Sequence, residues 1–201
     1  MRLVALVALL VMGGLLGARE NARLASQLEA GMQLLYESEG ERQPPWSIDS
    51  VTLGAPWRER SECAVVHVRR RPDQGPAEEN RLCLANDTLY GWDTKASDWI
   101  VLRPVGPRMS WTSGPAGGAV VRYETGEAAA ETISGRVIPT LQTTVTTADS
   151  TGRPKRRLRE RYALSLATAT GGVFEKPDSS RAGIWLRQRS FELREIRTGA
   201  R

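Results

Sequence analysis

Hydrophobic positions along this chain follow three successive rhythms. From Leu3 to Ala18 they are nearly continuous, interrupted only by Gly13, Gly14 and Gly17. Between residues 19 and 39, Leu24, Leu28, Met32 and Leu35 recur at spacings of four, four and three, with Arg23, Gln27, Glu29 and Gln33 elsewhere on the wheel. That spacing predicts one amphipathic helix. Gly40 and the pair Pro44-Pro45 end it, because proline cannot donate to a helix and disfavours helical geometry in the residue before it. Beyond Trp46 the period falls to two and turn residues recur at short intervals, the pattern of an antiparallel β architecture.

Alternation predicts strands near 47–53, 63–69, 81–84, 88–92 and 99–102, joined as a meander of successive hairpins. The stretch 114–118 is rich in Gly and Pro and is the expected hinge or subdomain boundary. Strands resume at 119–124. A long hairpin then runs out over 136–147, turns at 148–152 and returns over 155–166, its outgoing strand rich in β-branched residues such as Thr140, Thr143, Thr144 and Val145. Pro139 requires an edge or a bulge in that strand. Residues 167–172 are small and read as a flexible link, and 184–196 as a last strand or pair of strands. The fold class expected is therefore mainly β, an antiparallel curved sheet or sandwich carrying an N-terminal amphipathic helix, with segments 1–18, 19–40 and 41–201.

The first rhythm has the order of an export signal: Arg2, an apolar run, then the small pair Gly17-Ala18. Cleavage is expected after Ala18. Leu16, three residues before the cut, departs from the small-residue preference, so an uncleaved anchor is the alternative. The run is shorter than the about 17 to 25 residues a spanning helix needs. Cys63 and Cys83 lie in separate apolar stretches flanking the polar loop 72–76, and an exported chain matures in an oxidising compartment. One disulfide between them is expected, with two buried free thiols as the alternative. Removal of the leader leaves about 180 residues, enough for one domain with its own core.

The net charge is +5, and of the 28 basic residues three are Lys (Lys95, Lys155, Lys176), leaving 25 Arg. A phosphate-binding surface generally recruits both types, so this bias reads as a base-composition habit and no nucleic-acid partner is expected. Arg157, Arg159 and Arg161 alternate on one strand, opposite Leu158, Tyr162 and Leu164. Joined by Arg187 and Arg189, they are candidates for binding an anionic envelope component. The competing reading is a solvated sheet face paired with acids such as Glu192 and Glu195.

Six tryptophans stand mostly at strand ends, and Trp92, Trp99, Trp111 and Trp185 are candidates to line the mouth of a ligand cleft. With only two Phe in the chain, tryptophan must also supply core packing, and Trp92 and Trp99 are placed to stack across one turn. His67 is the single histidine, so a Ser-His-Asp triad or a zinc site would rest on it alone. No second metal-ligand pair and no Gly-x-Ser-x-Gly motif accompanies it. No catalytic residue, metal or cofactor is assigned. Carboxylate pairs such as Glu78-Glu79 and Glu37 with Glu41 keep a hydrolase as a third reading. Asn86-Asp87-Thr88 matches the N-glycosylation pattern and equally reads as a turn.

The sequence Val137-Ile138-Pro139-x-x-x-Thr143, through Asp149-x-x-Gly152 to Glu160-x-Tyr162, resembles the long hairpin of periplasmic lipoprotein-carrier and related lipid-handling domains. The likeness spans residues 119–170, consists of general hairpin chemistry and assigns no residue a role. It implies a half-open sheet over an apolar cavity. The expectation is thus an exported, non-catalytic envelope protein that binds a lipid or amphipathic ligand. The alternative is an envelope interaction protein using its arginine face.

Overall fold

The computed structural model describes residues 24–69, 75–114 and 118–199. They form a single antiparallel sheet of thirteen strands. These are β1 (Gln33–Ser38), β2 (Glu41–Arg42), β3 (Trp46–Gly54), β4 (Glu62–Arg69), β5 (Glu78–Ala85), β6 (Thr88–Asp93), β7 (Asp98–Pro104), β8 (Ser110–Ser113), β9 (Val120–Ile133), β10 (Arg136–Ala148), β11 (Pro154–Ala163), β12 (Thr168–Pro177) and β13 (Trp185–Arg197). The spatial order is β7-β6-β5-β4-β3-β1-β13-β12-β11-β10-β9-β8, with β2 beside β1. Two meanders, β3 to β7 and β8 to β13, are therefore joined through β1, which pairs with β13 along its length and with β3 only at Gln33↔Ser47 and Leu34↔Trp46.

The sheet curls until its two outer strands, β7 and β8, approach without forming a ladder, giving a nearly closed barrel. The link between them stitches the seam. Val105 N–H donates to Asp87 O at 2.8 Å, Arg108 N–H to Gly126 O at 3.2 Å, Thr125 N–H to Met109 O at 2.8 Å, and the Thr125 hydroxyl to Gly106 O at 2.6 Å. Near closure removes most of the unpaired edge that an open sheet exposes. Across the 114–118 stretch β8 and β9 pair with each other, Ser113 opposite Val121.

The expected N-terminal helix is replaced. Among the described residues 24–40 no α-helix forms; turns lead from Leu24 to Gly31 and β1 follows. Ala25 and Gly31 take left-handed backbone angles, with φ of 56° and 82°. Backbone donors that a helix would satisfy internally instead reach distant segments: Ala25 N–H to Leu164 O and Gln27 N–H to Ser165 O in the turn after β11, and Gly31 N–H to Ile48 O in β3. The four-residue spacing of Leu24, Leu28 and Met32 still reports burial, since all three are in the core. They reach it as a folded plug that bonds to β3 of the first meander and to the turn between β11 and β12 of the second. Leu35, which the helical stripe would have buried, lies between the buried Leu34 and Tyr36 of β1 and faces the other way.

Two further elements differ from expectation. Residues 167–172 are the start of β12, with Ala167 in a left-handed turn after a 3-10 turn at Leu164–Leu166. Small residues serve packing here: a Cβ on Gly172 would lie 2.9 Å from the Phe191 ring, and one on Gly171 would strike the Arg161 guanidinium. β9 continues to Ile133 and meets β10 through Ser134-Gly135, both at positive φ as a tight two-residue hairpin requires. Pro139 of β10 pairs with Ala130 of β9 and lies before the β11 ladder, which begins at Leu141, so its missing N–H disrupts nothing.

Cys63 and Cys83 are directly opposed on β4 and β5 and form a disulfide across 20 residues of sequence.

Candidate functional site

Curvature leaves a hollow inside the barrel. Its volume is about 870 Å³, within the about 300 to 1,000 Å³ of small-molecule sites. The floor is shared with the core through Leu28, Leu34, Ile48 and Leu166. The walls add Val66, Val68, Leu82, Leu89 and Leu102 from the first meander and Tyr123, Ala169 and Phe191 from the second. Period-two alternation aims these side chains inward while neighbours such as His67, Arg81 and Tyr90 face out.

Aromatic rings form a band along one wall. Phe174 stacks near Phe191 (5.9 Å between centroids), Phe191 near Tyr36 (6.3 Å), and Tyr36 near Trp46 (5.1 Å). The Tyr36 hydroxyl donates to Ala169 O at 2.8 Å. Burial pushes its pKa up to about 12, and burial likewise raises that of Tyr162 to about 12, against the opposing pull of Arg103. Both phenols are therefore neutral donors at ordinary pH.

One charge pair, its carboxylate buried and its guanidinium partly so, interrupts the apolar lining. Arg103, from β7, donates to the Glu160 carboxylate of β11, and its guanidinium lies 4.4 Å from the Tyr162 ring centroid. Glu160 is almost wholly buried, at 4% side-chain exposure. Desolvation of both ions is costly, and only a close partner offsets it. Gln43, Glu78, Asn80 and Arg189 are the other polar or charged side chains that line the hollow, with Thr168.

The structure separates the residues singled out by sequence. Arg157, Arg159 and Arg161 share the outer face of β11, with Arg187 beside them, because Arg187 and Arg157 both stand opposite Glu175 of β12. These guanidinium groups are ion-paired. Glu175, 6% exposed, takes Arg157 at 2.6 Å and Arg159 at 2.9 Å; Arg161 meets Glu131 and Glu192; and Arg187 meets Glu39 at 3.5 Å. Burial would raise the Glu175 pKa, but the two arginine hydrogen bonds outweigh it and hold the carboxyl below the usual range. Glu195 pairs with Arg197 rather than with the stripe. Arg189 leaves this group: a register shift between Phe174 and Glu175 turns it to the inner face, over the Phe174 ring at 4.4 Å.

None of the four candidate tryptophans lines the hollow. Trp92 and Trp99 stack across their hairpin at 5.5 Å, and Trp99 meets Trp57, which meets Tyr90. This cluster occupies the outer face beside Cys83, which pairs with Tyr90. Trp185 lies under Arg157, and Trp111 packs on Tyr123. The cavity aromatics are instead Tyr36, Trp46, Tyr123, Tyr162 and Phe191. Their inward alternation was visible in the sequence, but which face would be enclosed depended on the curl.

His67 lies on the outer face 3.6 Å from Glu79, and Glu79 also pairs with Arg81. Glu37 pairs with Arg194. Among the described residues no cluster of His, Cys, Asp and Glu is arranged to hold a metal. Asn86 and Asp87 form the two-residue turn between β5 and β6, both at positive φ. Among the described residues no helix is long and apolar enough to cross a membrane. The apolar run at 3–18 lies outside the described residues.

No protein-family model matches the chain, and no curated protein matches it. A crystal structure of a "putative lipoprotein" from Parabacteroides distasonis superposes with a TM-score of 0.45 at 9% sequence identity, over 88% of this chain and 99% of that one.

Proposed function

We propose that this protein is an exported, non-catalytic binding protein of the cell envelope that carries a lipid or other amphipathic ligand inside its barrel. The observation that supports it is the hollow: about 870 Å³, walled by aliphatic and aromatic side chains. The hollow opens to solvent, so its apolar wall is wetted when unoccupied, at a hydrophobic cost. A ligand that buries apolar surface there offsets that cost. Export is supported by the leader-like residues 1–18 and by the disulfide, a bond that persists in oxidising compartments.

Trp46 makes the reading testable, because it lines the hollow while the other five tryptophans do not. Addition of a long-chain fatty acid brominated along its chain is expected to quench part of the tryptophan fluorescence, and Trp46→Phe is expected to remove that part. Val68→Trp, which places an indole into the hollow, is expected to weaken binding at least fivefold while circular dichroism confirms the sheet. Absence of quenching in the wild type, or quenching that survives Trp46→Phe unchanged, overturns the proposal.

A further inference from the structure

The charged groups of the hollow are not equivalent. Arg103 and Glu160 satisfy each other and present a neutral, fixed dipole in the interior. Glu78 has an interaction of its own. Arg189 differs: it is exposed, lines the hollow, and among the described residues no carboxylate pairs with it. The neighbouring arginines of the sheet, Arg157, Arg159, Arg161, Arg187, Arg194 and Arg197, are all ion-paired. Its guanidinium lies over the Phe174 ring at 4.4 Å, a cation–π contact that uses the face of the group rather than its N–H donors.

From that guanidinium the aromatic band leads into the hollow: Phe174 to Phe191, Phe191 to Tyr36, Tyr36 to Trp46. A charged donor in contact with solvent at the start of a continuous apolar wall matches a molecule with one anionic end and one long apolar tail. Resting on the carrier reading above, we infer that the ligand is a single-chain anionic amphiphile, its carboxylate or phosphate head on Arg189 and its alkyl chain along Phe191, Tyr36 and Trp46. The Arg103–Glu160 pair takes no part in head recognition, since its charges are already matched. A planar fork that presents parallel N–H groups suits either oxyanion.

The test uses four twelve-carbon amphiphiles below their micelle concentrations: dodecanoate, dodecyl phosphate, 1-monododecanoylglycerol and dodecyltrimethylammonium, titrated by calorimetry at low salt. The two anions are expected to bind about tenfold more tightly than the neutral and cationic compounds, a preference that shrinks in high salt. Comparison of the two anions distinguishes a fatty-acid head from a phosphate head. Arg189→Gln is expected to abolish the anion preference while leaving 1-monododecanoylglycerol unchanged. Arg189→Lys retains part of the preference, and Arg187→Gln, on the outer face of the same strand, leaves it intact. Equal affinity for all four heads, or an anion preference untouched by Arg189→Gln, overturns the head assignment while the carrier reading stands. Failure of every amphiphile to bind overturns both.

Discussion

Arg103 and Glu160 meet across the interior of the barrel, with β6, β5, β4, β3, β1, β13 and β12 between their strands in the ladder order. The ion pair spans the hollow near the seam and ties the end of the first meander to the second. Removal of Arg103 leaves the Glu160 carboxylate buried and unmatched, which costs about 3 kcal/mol. Arg103→Ala is therefore expected to lower unfolding free energy by about that amount in urea denaturation. The double variant Arg103→Met with Glu160→Leu is expected to recover most of it, because apolar replacement removes both desolvation costs together. A single variant as stable as the wild type would show that the pair does not brace the seam.

The disulfide closes a loop of 20 residues between β4 and β5. In the chain-entropy account this restricts the unfolded chain and stabilises the fold by about 3 kcal/mol. Cys63→Ser with Cys83→Ser is expected to move the urea midpoint down by a corresponding amount, without change in the far-ultraviolet spectrum. Free thiols detected by alkylation of the native protein would contradict the pairing.

Tyr36 and Tyr162 are held neutral by burial up to about pH 12, against 10.0 for an ordinary phenol. The folded state binds these protons more tightly than the unfolded chain. Their contribution is complete below pH 10 and is lost as pH rises toward 12, about 2 to 3 kcal/mol for each. Absorbance at 295 nm is expected to show two of the four tyrosines titrating late, and Tyr36→Phe or Tyr162→Phe to remove one late transition each. Four tyrosines titrating together near pH 10 would refute the burial of both.

Glu175 joins Arg157 and Arg159 on the outer face. Its depressed pKa means that the stabilisation is fully present at neutral pH, above the usual carboxylate range, and disappears as pH falls through the lowered folded value. Glu175→Gln is expected to destabilise by about 1 to 2 kcal/mol at pH 7. The difference from wild type should vanish in acid. A difference that grows on acidification would reverse the sign of the argument.

With the stripe paired in this way, replacement of Arg157, Arg159 and Arg161 by Gln is expected to leave binding to anionic lipid vesicles unchanged in a sedimentation assay. A severalfold loss would restore the outer face as an anion-binding surface.

Much of the sheet was legible because alternation is a local property. The runs now seen as β3, β4, β6, β7, β11 and β13 carry it openly, and Cys63 facing Cys83 followed from two strands around one polar loop. The turn at Asn86-Asp87 was equally readable, since both residues tolerate positive φ. Residues 24–35 misled because a spacing of four satisfies a helix and a compact plug alike. β12 misled because Gly171 and Gly172 are small to accommodate Arg161 and Phe191, and those contacts are far away in sequence. The candidate site was the least legible part. Tryptophans at strand ends suggested a mouth, whereas the enclosed wall is built from Tyr36, Trp46, Tyr123, Tyr162 and Phe191.

By itself the sequence determined most of the strands and turns, though not β1, β2, β8 or β12, together with the cysteine pair and the common face of Arg157, Arg159 and Arg161, since each depends on side chains a few residues apart or on neighbouring hairpins. Only the tertiary structure decided which face of the sheet encloses space, that Arg189 parts company with Arg187, and that Arg103 finds Glu160. Those outcomes arise from the twist, bulges and closure of the whole sheet, and curvature accumulated over thirteen strands is not encoded in any one of them.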